Sequence, residues 1–148
     1  MSATVESLKF QGQFHFECYD ADGNLKWMDD TKNTVLTVGK NHILDVVFAS
    51  GTQVTTWHVG LTNDNTAITA GYTLTGEVGT RQATTFTRTS QTVASDQESF
   101  TSITDTVRKA FVVTASSAGT VVAVSDLSTP RTLTSSDVLK VTYSISVS

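Results

Sequence analysis

Two histidines and an aspartate are the first candidates for chemistry. His42 and Asp45 stand three residues apart, and His58 follows in the same stretch, GKNHILDVVFASGTQVTTWHVGL, residues 39–61. On a helix, positions three apart share a face, so His42 and Asp45 can point together while His58 approaches from the next strand. Two imidazoles and one carboxylate make a ligand set for a transition metal. Neither HxxxH nor HExxH spacing is present, so no helical turn presents two histidines to one ion. The simpler reading is a short helix running into a strand, with His42 and Asp45 at the helix flank and His58 facing solvent or a partner. No metal site is expected.

Other candidates are weaker. Serine, histidine and aspartate are all present, but no GxSxG marks a nucleophile. Asp29 and Asp30 are adjacent, and neighbours on a strand point to opposite faces; a solvated turn is expected there rather than a carboxylate pair. DADGN, residues 20–24, opens like a calcium loop, but Leu25 stands at the sixth position, where that loop needs glycine, and Thr31 at the twelfth, where it needs glutamate. A hairpin turn fits better. Cys18 alternates with Phe14 and Phe16 and reads as a small buried apolar residue. Trp27 and Trp57 sit on the apolar parity of strands, so core packing is expected before a sugar platform. No glycine loop cradles a phosphate. Catalytic residues, cofactor-binding residues and cofactors are all expected to be none.

The 148 residues suit a single domain, long enough to bury a core without disulfides or metal. Only 16% are charged and the net charge is -4. No basic patch is visible, so neither nucleic acid nor an anionic membrane is an expected partner. The N-terminus has no charged segment followed by an apolar run, and no run reaches a membrane span, so a soluble product is expected. Threonine (27), valine (18) and serine (16) dominate. Thr and Val are β-branched and favour strands.

The elements that must position these groups follow from periodicity. LKFQGQFHFECYD alternates, with a kink expected at Gly12, and LKWMDD returns after the DADGN turn with Leu25 and Trp27 on one face. Residues 38–49 shift to spacings of three to five and read as one helix, with Thr37 as N-cap and Gly51 as terminator. Alternation resumes at TTWHVGL. Residues 62–80 read as loop, RQATTFTRTSQTV as one strand, and ESFTSITDT as a strand holding Phe100 and Ile103. VRKAFVVTAS and TVVAVSDL are two strands, STPRTLTSSD is a connector, and VLKVTYSISVS is the cleanest strand of all. About eight strands and one helix predict a mostly β fold, a β-sandwich or jelly roll.

Four stretches in order, DGNLKW, NTVLTVGKNHILDVVFASGTQVTTWHVGL, TRQATTF and SDVLKVTYSISVS, resemble a family of small structural proteins of tailed bacteriophages, of the head-decoration (cement) type. Ser136 stands where that family's final strand usually opens with glycine. The resemblance implies a non-enzymatic virion protein, made in the host cytoplasm and placed on the capsid surface. Its implied partners are the major capsid protein and other copies of itself, as a homotrimer, with neighbouring capsomers bridged and stabilised. It places Leu44, Val47, Phe48, Trp57, Val59 and Leu61 in the core. Residues 1–10 would form an extended N-terminal arm, with Leu8 and Phe10 as interface residues. Two alternatives are a tail or neck component and a carbohydrate-binding module for host recognition, the latter requiring an exposed Trp27 or Trp57.

Overall fold

A computed structural model describes residues 6–148. The chain runs β1 (Phe10–Tyr19), β2 (Leu25–Lys32), β3 (Thr34–Val35), α1 (Thr37–Phe48), β4 (Trp57–Thr62), β5 (Glu77–Thr84), β6 (Phe86–Thr89), β7 (Thr92–Ser95), β8 (Glu98–Phe100), β9 (Thr106–Val113), β10 (Val121–Thr132) and β11 (Val138–Val147). The pairings are antiparallel. One sheet has the order β2-β1-β11-β7-β6, with β8 also paired to β11; the other has the order β3-β10-β9-β4-β5. The result is a β-sandwich. Phe14, Phe16, Cys18, Leu139 and Val141 of the first sheet meet Val59, Leu61, Ala110 and Val112 of the second in one core.

The first hairpin forms as the alternation predicts. Asp20 Oδ1 accepts the backbone N–H of Asp22 and of Asn24, and Gly23 takes φ +80. DADGN is thus an Asx-stabilised turn. β1 pairs with β11 without a break from Phe10 to Tyr19, so the chain does not kink at Gly12. A Cβ there would fall 1.8 Å from Asn33 Oδ1, so the glycine makes room for Asn33. Lys9 and Ser148 exchange backbone hydrogen bonds. Residues 9 and 10 of the expected arm are therefore tied to the sheet; residues 1–5 lie outside the described residues.

The second sheet is covered on both faces. Phe111, Val113 and Val124 turn away from the sandwich interior and pack with Leu36, Tyr72, Ile68 and Leu74. The cover comes from the long segment between β4 and β5 and from the entry to α1. Two-sided burial explains the unbroken apolar runs of β9 and β10. Lys109 pins the cover down. Its side chain is 1% exposed; Nζ donates to the Asp64 carbonyl at 2.6 Å and lies 3.1 Å from Asp126 Oδ1. Tyr72 Oη donates to Asp64 Oδ2 at 2.7 Å.

Five further local expectations change. The loop expected over residues 62–80 ends early, since β5 begins at Glu77. RQATTFTRTSQTV is not one strand: the chain leaves the second sheet after Thr84 and enters the first at Phe86, then reverses at Ser90 (φ +60 region, 56°) into β7. ESFTSITDT is strand only over Glu98–Phe100, and Ile103 is buried from a loop. The STPR connector belongs to β10, whose pairing with β9 slips between Asp126 and Arg131; Pro130, which has no N–H to donate, falls in that irregularity. The helix cap is Leu36, with no side-chain cap bond, rather than Thr37. At the other end Ala49 and Gly51 N–H both donate to the Asp45 carbonyl, with Ser50 left-handed at φ 60.

Gly39 sets how closely α1 lies on β10. A Cβ there would fall 2.4 Å from the Val122 carbonyl oxygen and 2.7 Å from its Cα. In an open helix Gly→Ala gains about 1 kcal/mol. Here the obstacle is backbone, so Gly39→Ala is expected to lose about 1–3 kcal/mol, read as a lower Tm in thermal unfolding. A raised Tm would contradict the close approach.

Asp137 closes the β10–β11 turn. Its carboxylate, 2% exposed, accepts the Thr134 N–H at 2.9 Å and Lys26 Nζ at 2.9 and 3.0 Å. The Thr134 N–H and then Lys26 hold its carboxyl below the usual range. The Tyr72 hydroxyl does the same for Asp64. A carboxyl depressed in the folded state adds stability above its unfolded pKa and loses it as pH falls through the folded value. On the acid side, unfolding free energy should therefore fall only below about pH 4. Asp137→Asn should lower the neutral plateau and flatten that fall. Urea titrations across the acid range check both, and an unchanged acid slope would exclude the pairing.

Candidate functional site

The expected core residues of residues 39–61 divide. Val59 and Leu61 on β4 are fully buried, and Trp57 is half-buried against the core. Leu44, Val47 and Phe48 are not core: they are 55%, 62% and 82% exposed. The reason is the geometry of α1. The helix rests on β10 through its first turn, where Gly39 is buried, and its inward flank carries the half-buried His42, Ile43 and Val46. Val38, Ile43, Leu44, Val46, Val47 and Phe48 wrap more of the helix than one neighbouring strand can cover. The surplus turns outward.

That surplus lines a groove of 900 Å³. One wall is α1, with Lys40, Ile43, Leu44, Val47 and Phe48. The other is the entry to β1, from Leu8 to Gln11. Asn33, Thr34 and Val35 form the floor between them. Leu8 is 75% exposed and Phe10 37%. The two residues expected at an interface and the three expected in the core thus share one open apolar surface. Single exposed apolar side chains are ordinary; a contiguous group marks a docking surface. The signal was present in the sequence as an over-apolar helix, but periodicity alone does not say which face meets a partner.

The histidine and carboxylate candidates do not assemble. The His42 ring meets Trp57 edge-on at 5.8 Å. His58 follows Trp57 on β4 and so points to the opposite face of the sheet. Asp45 is exposed on the helix. Among the described residues, no group of three or more His, Cys, Asp or Glu side chains is placed to hold a metal ion. Cys18 is fully buried, and burial pushes its thiol pKa up, which favours the unreactive thiol.

The remaining polar candidates hold structure. Asp29 and Asp30 are not in a turn but in β2. Asp29 accepts Ser128 N–H at 2.8 Å and Ser128 Oγ at 2.6 Å. Asp30 Oδ1 lies 2.7 Å from His15 Nδ1, and this contact first of all holds the Asp30 carboxyl below its usual range. Arg81 clasps Glu77 with two bonds, at 2.7 and 3.0 Å, and donates to the Ala115 and Ala118 carbonyls. Neither the Lys109 and Asp137 networks nor the Arg81–Glu77 pair was among the sequence candidates. A lone lysine inside the apolar run VRKAFVV was the one visible sign of the first.

Neither tryptophan offers an open platform. The Arg131 guanidinium lies 4.6 Å over the Trp27 ring, and both tryptophans are half-buried. Trp57 packs edge-to-face with Phe86 at 5.8 Å. No helix among the described residues is long and apolar enough to cross a membrane.

No curated protein and no solved structure matches the chain. A family model described as "Podophage GP4 fiber I protein gp80" matches residues 34–146. The description names a fibre protein, where the resemblance read from the sequence implied a head-decoration type. With the match covering more than half of its length, from β3 through nearly all of β11, the chain belongs to this family of tailed-phage structural proteins.

Proposed function

We propose that this protein is a non-enzymatic structural subunit of a phage fibre, docking to its neighbours through the apolar groove between α1 and the entry to β1. The carrying observation is the family match over residues 34–146. The groove supports it: Leu44, Val47 and Phe48 are exposed on a well-packed sandwich, where a free-standing domain would cover them. His15, Lys26, Arg81 and Lys109 are paired with carboxylates that hold loops and strands together, and His42, Asp45 and His58 do not assemble into one site. A sugar-binding role fits less well, because Arg131 covers the Trp27 face.

Cryo-electron microscopy of the phage particle that encodes this chain checks the reading. Density fitted by the sandwich within the fibres is the expected result. Density over the head lattice would overturn the fibre role and restore the decoration role, with the major capsid protein as partner. Absence from the particle would overturn both.

A further inference from the structure

We infer that the groove is filled by α1 of a second copy of this chain, the two helices packed antiparallel about a two-fold axis. The inference rests on the groove being a docking surface, as proposed above, and adds its occupant.

Three observations point to a second copy. The first is shape. Each copy carries both parts of a lock: a groove of 900 Å³ and, on its rim, Phe48, the most exposed of the large apolar side chains. A two-fold axis lets the Phe48 of each copy enter the groove of the other, which is the isologous arrangement.

The second is area. Leu8, Phe10, Leu44, Val47 and Phe48 together expose on the order of 500–600 Å² per copy, against about 800 Å² per partner, polar rim included, in a standard stable interface. The polar groove residues Lys9, Gln11, Asn33 and Lys40 supply that rim.

The third is charge. α1 has no acidic residue in its first turn and no basic residue in its last. Its one lysine, Lys40, lies near the positive end of the helix dipole, and its one carboxylate, Asp45, lies toward the negative end. Each is misplaced for its own helix. An antiparallel second α1 reverses the arrangement. Lys40 of each copy approaches the other's carboxyl-terminal end, where the free carbonyls lie. Lys9 and Lys40 are the charged residues among those lining the groove, so the carbonyl end of a partner helix meets no carboxylate there.

Sedimentation velocity of the full chain from about 1 to 100 μM is the test. Phe48→Asp and Leu44→Asp would be compared with Met28→Asp, which alters an exposed apolar residue on β2. All these positions are exposed, and circular dichroism melts confirm that each variant folds. The expected result is a concentration-dependent dimer, weakened about tenfold or more by the α1 substitutions and unchanged by Met28→Asp. A monomer at every concentration overturns the pairing, whether the chain's own N-terminus or another virion protein covers the groove. So does a dimer indifferent to the α1 variants, or a trimer. Mass in solution and location on the particle are separate readings, so failure of the pairing and failure of the fibre role are distinguishable.

Discussion

Two-sided burial of the β9–β10 ladder is the constraint on which the rest of this fold depends. Phe111, Val113 and Val124 face one way while Ala110, Val112 and Ala123 face the other, and all are at most 1% exposed. A sheet apolar on both faces needs two covers. The first is the opposing sheet, centred on β1 and β11. The second has no regular structure of its own. It is a loop held by Tyr72, Asp64 and Lys109, together with the chain entering α1. The buried lysine is therefore structural: it satisfies a loop carbonyl while its charge meets Asp126, and leaving either side unpaired would be costly.

That second cover also explains the groove. Leu36 enters the outer cluster and Gly39 allows α1 to touch β10 backbone to backbone. The helix is thereby fixed by its first turn. Its carboxyl-terminal half projects past the strand that supports it, and the apolar residues there are left to the surface. The same close contact that completes the sandwich thus exposes Leu44, Val47 and Phe48.

What could be read from the sequence was what a period of two records. β11, the β1–β2 hairpin and the burial of Cys18 follow from alternation, and Gly23 follows from turn chemistry. What could not be read was where a chain changes partner. Thr84 and Phe86 are two residues apart in a continuous Thr-rich run, yet they belong to different sheets. STPRTLTSSD read as a connector, but its first five residues continue β10, where an irregularity in the pairing absorbs Pro130. The helix posed the harder case. Its spacing was legible and its face was not, since an apolar residue meets a core or a partner with the same chemistry. The exposed apolar surface was consequently read as two things, a buried core and a distant interface, when Leu8, Phe10 and the three α1 residues line one groove.

The family match begins at Thr34, after the first hairpin. That hairpin is nevertheless integral to the fold. β1 lies between β2 and β11, pairs with β11 along ten residues, and supplies Phe14 and Phe16 to the core. The groove therefore has two walls of different standing. The α1 wall lies inside the matched region, and the Leu8–Gln11 wall lies outside it. Substitutions at Leu8 or Phe10 could reshape the groove without touching the helix that packs on β10. Groove shape and fold stability would then be set by different segments: the entry to β1 forming one wall, and the Gly39–Val122 contact holding the helix that forms the other.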